Sequence, residues 1–262
     1  MVYARRPDAA GVFYPAERAE LARTVRDLLA AARSSAGESN AGEAVRAIVA
    51  PHSPYASSGA VAASAWNRVM PFAAQIRRVV LLGPSHHLPL LGVAAPFADA
   101  FETPIGAVAV DRLAIETLRR FPRLVVNDVP HDQEHSIETQ LPFVQIALEA
   151  VAIVPLVVGD GSDMDAVEIL EALWDDSTLA VVSTNLSHYF DAPTAGRLDE
   201  ATARAIESLR GEAIGEQQAC GHAALRALLY VARGRAMRAA RLDMRLSGEE
   251  EEVIGLGAFM FS

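Results

Sequence analysis

The sequence contains little cysteine, few aromatic residues and no apolar run long enough to cross a membrane. Cys220 is the only cysteine among 262 residues, which excludes an internal disulfide framework and fits a reducing compartment. The longest apolar run, AVAIVPLVVG at 150–159, is about half of the roughly 20 residues that a membrane span needs. The first residues, MVYARRPDAAG, have no apolar core typical of a signal peptide. We therefore expect a cytoplasmic protein with no membrane partner.

Basic residues are also scarce. The chain has 23 Lys and Arg against 33 Asp and Glu, which gives a formal net charge of −10. A surface of this sign repels nucleic-acid phosphates, and no cluster of basic and aromatic residues offsets it. The charge argues against a nucleic-acid partner and leaves an unknown small molecule or a peptide as the expected ligand.

Apolar runs alternate with amphipathic segments along the chain. The patterns predict buried strands at 47–51, 78–82, 152–159 and 179–185, and helices at 17–32, 163–175, 192–208 and 221–233. No linker long enough to separate two domains is evident. This alternation predicts an α/β protein with a single three-layer α/β/α domain over residues 1–262 and a mixed central sheet.

Weaker patterns complete the expected fold. They predict short strands at 92–96, 106–110 and 124–128, short helices at 60–69 and 111–121, and a helix at 135–148 that Pro142 bends or restarts. The polar loop at 33–43 is expected to be mobile. Two final strands, 240–246 and 253–261, are joined by the acidic run SGEEEE, which we interpret as a solvated hairpin tip.

Histidines follow three of the predicted strands. His52 comes after AIVAP, His86 and His87 come after VVLLGPS, and His188 comes after VVSTNLS. Ligands bind at the carboxyl ends of strands in open α/β sheets. Any one of these histidines could simply pack or cap, but the set favours a metal site or an acid–base pocket.

Cys220 precedes a predicted helix in QQACGHAALRALL. A sulfur near a helix N-terminus favours the thiolate, and imidazole with thiolate suits iron, copper or zinc. The alternative interpretation of a lone cysteine is a small buried apolar side chain. The pattern therefore leaves two roles open, ligand and packing residue.

The segment PHDQEHSIETQLPF carries two competing signals. His131-x-x-Glu134-His135 matches the inverted zinc-peptidase motif, which requires one continuous helix. Glu134 and Glu138 instead flank the first turn of an amphipathic helix, where acids stabilise the positive helix end. The second interpretation needs no metal.

Taken together, these stretches resemble the Memo family, whose bacterial and archaeal members are often called AmmeMemoRadiSam system protein B. The matching stretches occur in the family's order along nearly the whole chain: RRPDAAGVFYP, APHSPYASSG (50–59), LLGPSHH (81–87), ETPIGAVAVD (102–111), EHSIETQLPF (134–143), STNLSHY (183–189), ACGH (219–222) and SGEEEEVIGLGAFMF. The resemblance implies a fold related to the class III extradiol dioxygenases, which are non-haem iron enzymes.

The resemblance also implies roles for individual residues. His52, His86 and Cys220 occupy the family's candidate metal-ligand positions, and His188 resembles the acid–base histidine of the dioxygenases. We further hypothesise that His135 and Glu138 of the EHSIE motif orient the ligands or the substrate. Asn185 and His87 are expected to contact the ligands or to pack beside them.

Several positions depart from the family pattern. PHSPY replaces the usual PHAGY, Gln133 and Asn185 replace acids, and Cys220 stands where a dioxygenase has a carboxylate. Asn185 keeps hydrogen bonding but cannot supply a negative charge. Two functions stay open: metal-dependent redox chemistry on an unknown small molecule, or non-catalytic binding of a metal, peptide or partner in the same cleft.

Overall fold

The computed structural model of the protein describes residues 3–35, 44–148, 150–249 and 252–262. The predicted mobile loop lies largely outside these ranges, at 36–43, as do Glu250 and Glu251 of the expected hairpin tip. The strands of the described residues are β1 (Ala4–Arg5), β2 (Ala47–Ala50), β3 (Arg78–Pro84), β4 (Val93–Ala95), β5 (Ala100–Thr103), β6 (Gly106–Ala109), β7 (Leu124–Val126), β8 (Ala152–Val158), β9 (Thr178–Ser183), β10 (His188–Phe190), β11 (Ala239–Glu249) and β12 (Glu252–Phe261).

The α-helices alternate with these strands along the chain. They are α1 (Arg18–Ser35), α2 (Tyr55–Val69), α3 (Arg112–Leu118), α4 (His135–Glu138), α5 (Leu141–Ala147), α6 (Asp163–Leu173), α7 (Ala192–Glu207) and α8 (His222–Gly234). Short 3-10 turns cover Met70–Gln75, Val129–His131 and Gly211–Ala213.

One large mixed sheet forms the centre of the protein. Within the described ranges it has nine strands, in the order β10-β12-β2-β9-β3-β8-β4-β7, with β11 paired to β12. β2, β9, β3 and β8 run parallel, whereas β12 and β4 flank them in antiparallel pairing. The parallel strands are continuous apolar runs buried along nearly their whole length, as expected when helices cover both faces. The predicted mixed sheet is confirmed.

The helices form two layers around this sheet. α1 packs on α2, and α2 rests on β2 and β12, while α6 packs on α8, which rests on β3 and β9. The predicted α/β fold with helices on both sides of the sheet is therefore confirmed. Among the described residues, no helix is long and apolar enough to cross a membrane.

Several elements differ from their predicted forms. α2 begins at Tyr55, five residues before the predicted helix, because Pro54 sits in the position before it and suits a helix start. The predicted helix at 135–148 is two helices, and Pro142 lies in the first turn of α5, where its missing amide costs nothing. β1, β5 and β6 form a separate small sheet, which the short apolar runs of the sequence did not predict.

The sheet order determines where the predicted site residues lie. β2, β9 and β3 are adjacent and parallel, so the loops that follow them leave the same edge of the sheet. Gly83, near the end of β3, permits α4 to approach, because a Cβ there would lie 2.4 Å from the hydroxyl oxygen of Ser136. The segment at 134–138 therefore packs directly against the loop that carries His86.

Candidate metal centre

Three of the predicted ligands meet at this edge of the sheet. His52 follows β2, His86 follows β3, and Cys220 comes just before α8. One potential ligand atom from each lies within 4.8 Å of those of the other two. His188 opens β10 and lies beside this group, close enough for His188 and Cys220 to shift each other's pKa. The structure thus brings together residues that are up to 168 positions apart.

His52 is held in one tautomer by its neighbours. Its Nδ1 lies 3.2 Å from the hydroxyl of Ser183. That hydroxyl donates its single hydrogen to the carbonyl oxygen of Ser136, at 2.5 Å, and also accepts from Nε2 of Gln140. Nδ1 of His52 must therefore donate to Ser183. The other nitrogen, Nε2, lies 3.4 Å from Sγ of Cys220 and is the nitrogen that faces the cluster.

His86 is oriented by a buried carboxylate. Its Nδ1 donates to Oε1 of Glu134 at 2.9 Å, and its backbone N–H donates to Oε2 at 2.8 Å. Burial lowers the pKa of His86, but hydrogen bonds to Cys220 and Glu134 outweigh burial and raise it to about 10. Because Nδ1 is occupied by Glu134, Nε2 is the nitrogen left to face Cys220. His86 in turn holds the pKa of Glu134 well below its usual range, against the effect of burial.

His188 follows the same pattern with a backbone partner. Its Nδ1 donates to the carbonyl oxygen of Leu186 at 2.8 Å, which leaves Nε2 to face Cys220. Burial lowers the pKa of His188, but hydrogen bonding to Cys220 and the charge of its thiolate outweigh burial and raise it. The next residue, Tyr189, has a positive φ of 60°, a conformation that is uncommon for a residue other than glycine.

Cys220 is the common neighbour of the three imidazoles. Burial raises its pKa, but the charge of His52 and hydrogen bonds from His188, His52 and His86 hold the pKa well below its usual range. The thiol is partly exposed and also contacts the hydroxyl of Thr184 at 3.5 Å. A thiolate surrounded by imidazole nitrogens is a donor set that can bind a transition metal.

Asn185 supports the loop of His52 through its side-chain amide. Its Oδ1 accepts from the backbone N–H of His52 at 3.0 Å, and its Nδ2 donates to the hydroxyl of Ser53 at 2.9 Å. The side chain is buried, with 4% of its surface exposed. It thus contacts the backbone of a candidate ligand and contributes no charge.

His135 forms a wall of the site. Its ring stacks on Phe13 at 4.3 Å and on His86 at 4.7 Å between ring centroids. Burial, followed by the charge of His52, lowers the pKa of His135 to about 3. With His86 and Glu134 it makes a second group whose ligand atoms lie within 4.8 Å. His87 is exposed, and its ring lies 6.3 Å from that of His135.

Glu138 binds the N-terminal segment. Its fully buried carboxylate accepts from Arg5 at 2.7 Å and from the hydroxyl of Tyr14 at 2.5 Å. The backbone N–H groups of Asp8 and Ala9 donate to it as well, at 3.0 and 2.8 Å. These bonds fasten the N-terminal segment, which carries Phe13, against α4. Through these bonds the carboxylate orients that segment.

The inverted zinc-peptidase interpretation is wrong. His131 ends a 3-10 turn, and Gln133, with a positive φ of 59°, separates that turn from the helix that begins at His135. The continuous helix that the motif requires is therefore broken. Nε2 of His131 instead donates to the carbonyl oxygen of Ala94 at 3.2 Å, and burial together with the charge of Arg5 lowers its pKa to about 3.

The supporting residues of the cluster were harder to find in the sequence than the histidines. Ser183 contacts the ring of His52, and Gln140 donates a hydrogen bond to Ser183. Glu134 binds the ring of His86. Glu134 precedes His135 in the quoted EHSIE motif, which was a usable signal. Ser183 opens the STNLSHY stretch, but nothing in that stretch indicates that its hydroxyl contacts His52.

Comparison with known proteins finds related sequences of one family. The profile of the Memo-like protein family matches residues 5–254. A MEMO1 family protein of Thermotoga petrophila is 32% identical over 281 residues, covering 98% of this chain and 99% of the relative. One from Archaeoglobus fulgidus is 28% identical over 277 residues, covering 98% and 99%. Protein MEMO1 of Danio rerio is 34% identical over 196 residues, covering 71% of this chain and 63% of that protein.

A solved structure supports the fold alone. The crystal structure of the uncharacterized protein JW3007 from Escherichia coli K12 superposes with a TM-score of 0.54 at 15% identity, covering 82% of this chain and 99% of that one. The family profile and the Thermotoga petrophila and Archaeoglobus fulgidus relatives align across nearly the whole sequence. The chain belongs to the Memo-like protein family.

Proposed function

We propose that His52, His86 and Cys220 bind a divalent or first-row transition metal ion, either iron, copper or zinc. The observation that supports this is the orientation of the two imidazoles. Nδ1 of each ring donates to a fixed acceptor, Ser183 or Glu134, and Nε2 faces the thiolate. Metal-bound histidines in proteins have this arrangement, in which the outer nitrogen is bonded to an oxygen. The metal would displace the proton that Nε2 of His86 carries.

The donor set fits such an ion. Two imidazole nitrogens and a thiolate suit zinc, copper or iron, and three protein ligands leave a coordination position open, as in catalytic sites. We propose that the protein uses this position for redox chemistry on an unknown small molecule. When bound, the ion would supply Lewis-acid or redox chemistry to that molecule.

The neighbouring histidines would serve the substrate. Nε2 of His188 faces the cluster while Nδ1 is fixed by Leu186, so His188 would accept or return a proton at Nε2. His135, kept neutral by its lowered pKa, would form a wall of the substrate space together with Phe13. We also propose that residues 1–262 form one domain.

The second candidate function is non-catalytic binding of a metal, peptide or partner in the same cleft. Asn185 favours it, because its amide bonds to His52 and Ser53 where the family resemblance implies an acid. Without that charge a bound cation has one less attractive partner.

Metal analysis of untagged protein tests the proposal. We expect Cys220→Ser and His52→Gln to lower the affinity for Zn²⁺ and Cu²⁺ at least about tenfold, measured by competition with a chelator. The control is His131→Gln, which removes a buried histidine outside the cluster and should leave the affinity unchanged.

Equal affinities in all four proteins would contradict the metal site. Oxygen uptake by iron-loaded protein with a panel of small phenols then separates the two functions. Metal binding without turnover of any compound supports the non-catalytic candidate.

A further inference from the structure

A second pocket lies at the beginning of α8, and none of its lining residues belongs to the metal cluster. Its volume is about 450 Å³, within the roughly 300–1,000 Å³ of pockets that hold small molecules. His222 and Arg226 of α8 form one side, and Leu198, Glu216 and Gln217 contribute to the rest.

His222 lines this pocket and has a buried ring nitrogen without a partner among the described residues. Only 7% of the residue is exposed, and within the described part of the chain its Nδ1 has no hydrogen-bond partner. Buried polar atoms are nearly always paired, so an unpaired one needs an explanation such as a missing ligand or ion. The imidazole lines a pocket, which makes a ligand atom the direct explanation.

The start of α8 adds further donors. The helix runs over 13 residues from His222, and Gly221 at its N-cap offers no side chain to cap it. The backbone N–H of Gly221 donates to the hydroxyl of Thr184. The backbone N–H groups of Ala223 and Ala224 lie in the first turn of the helix, which no side chain caps. Such amides and the positive end of the helix dipole favour an anionic group.

Arg226 supplies a positive charge on the same face. It lies four residues after His222, so the two side chains are neighbours along the helix, and long helical side chains lean back toward the N-terminus. Its guanidinium lies 3.5 Å from the carboxylate of Asp163, and 37% of its side chain is exposed. This loose ion pair leaves guanidinium donors for a ligand. Glu216 is the acid of the lining, and it restricts the anion to the Arg226 side.

We propose that this pocket binds a small organic anion through a carboxylate or phosphate group. The anionic group would contact Arg226, His222 and the first amides of α8, and the remaining volume would hold the organic part. The proposal does not depend on a metal ion in the cluster.

Titration with inorganic phosphate tests the proposal on the full chain. At constant pH and ionic strength, with chloride as the balancing salt, we expect saturable changes in the amide NMR signals of Ala223 and Ala224. Arg226→Gln should weaken phosphate binding about tenfold, as expected for loss of a charge-assisted contact. Asp163→Asn should strengthen it by releasing Arg226.

The matched control is Arg233→Gln, which removes the same charge from the same helix outside this pocket. It should leave phosphate binding within about twofold. Equal weakening by the Arg226 and Arg233 variants would reduce the effect to general electrostatics and overturn the proposal, as would signals that do not saturate. Cys220→Ser should retain phosphate binding, so this result is separate from that of the metal titration.

Discussion

The hydroxyl of Ser183 lies 3.2 Å from Nδ1 of His52 and accepts its hydrogen bond, because its own hydrogen goes to the carbonyl oxygen of Ser136. This contact decides which imidazole nitrogen faces Cys220. A hydroxyl at the end of a buried strand thus controls the tautomer of a candidate ligand on the neighbouring strand.

Ser183→Ala should weaken metal binding by about 10- to 100-fold, because His52 loses the acceptor that orients it. The measurement is a competitive titration with a chromophoric chelator at fixed pH. Ser187→Ala is the control, since the hydroxyl of Ser187 is buried on the same segment but has no partner among the described residues. If both variants bind metal as the native protein does, the tautomer of His52 is not set by Ser183.

Glu138→Gln should lower the free energy of unfolding by up to about 3–5 kcal/mol, because the buried charge of Arg5 loses its buried partner and keeps only the half-exposed carboxylate of Asp8. The side chains of Arg5 and Glu138 are 7% and 0% exposed. Urea denaturation gives the change. Glu200→Gln breaks the pair with Arg241, whose side chains are 38% and 30% exposed, and should cost at most about 1 kcal/mol. Equal losses in the two variants would argue against a structural role for the buried pair.

Glu134 and Glu138 show what the sequence could and could not predict. Their four-residue spacing places both on one face of a continuous helix. The helix begins at His135, however, and Glu134 has extended backbone angles at its N-cap, so its carboxylate turns to His86 while that of Glu138 turns to Arg5. Helix spacing does not apply to a residue outside the helix, and only the three-dimensional structure distinguishes the two acids.

The histidines were easier to place, because their position depends on strand order. His52 and His86 follow buried apolar runs, and adjacent parallel strands end at one edge of the sheet. The small sheet of β1, β5 and β6 was not predicted, because strands of two to four residues carry too little periodicity to indicate pairing.

His131 should make the protein less stable in acid. Its pKa is lowered from 6.5 to about 3 by burial and by the charge of Arg5, so between these values the unfolded chain binds a proton that the folded chain does not. Stability therefore falls as the pH falls through this window, by up to about 1.4 kcal/mol per pH unit from this group.

Urea denaturation of native protein and His131→Gln at pH 7, 6, 5 and 4 measures this effect. Gln keeps a donor for the carbonyl of Ala94 but does not titrate. The difference in unfolding free energy between the two proteins should shrink as the pH falls. A constant difference would show that His131 binds its proton equally well in both states.

Asn185→Asp should tighten metal binding and separate the two candidate functions. The native amide accepts from the backbone of His52 and donates to Ser53. An aspartate keeps the first bond, and the hydroxyl of Ser53 can rotate to donate to it. The substitution therefore adds a negative charge beside the cluster with little change of shape. Burial opposes ionisation of this carboxylate, but a bound cation favours it. We expect an affinity gain within about 10- to 100-fold, measured by competitive titration of both forms at one pH.

Asn185→Ala is the control, since it removes the hydrogen bonds without adding charge and should weaken binding. The native protein should show little oxygen uptake with a catechol panel. Rapid uptake would contradict weak activity, and equal affinities for Asn and Asp would show that a charge at position 185 does not reach the metal.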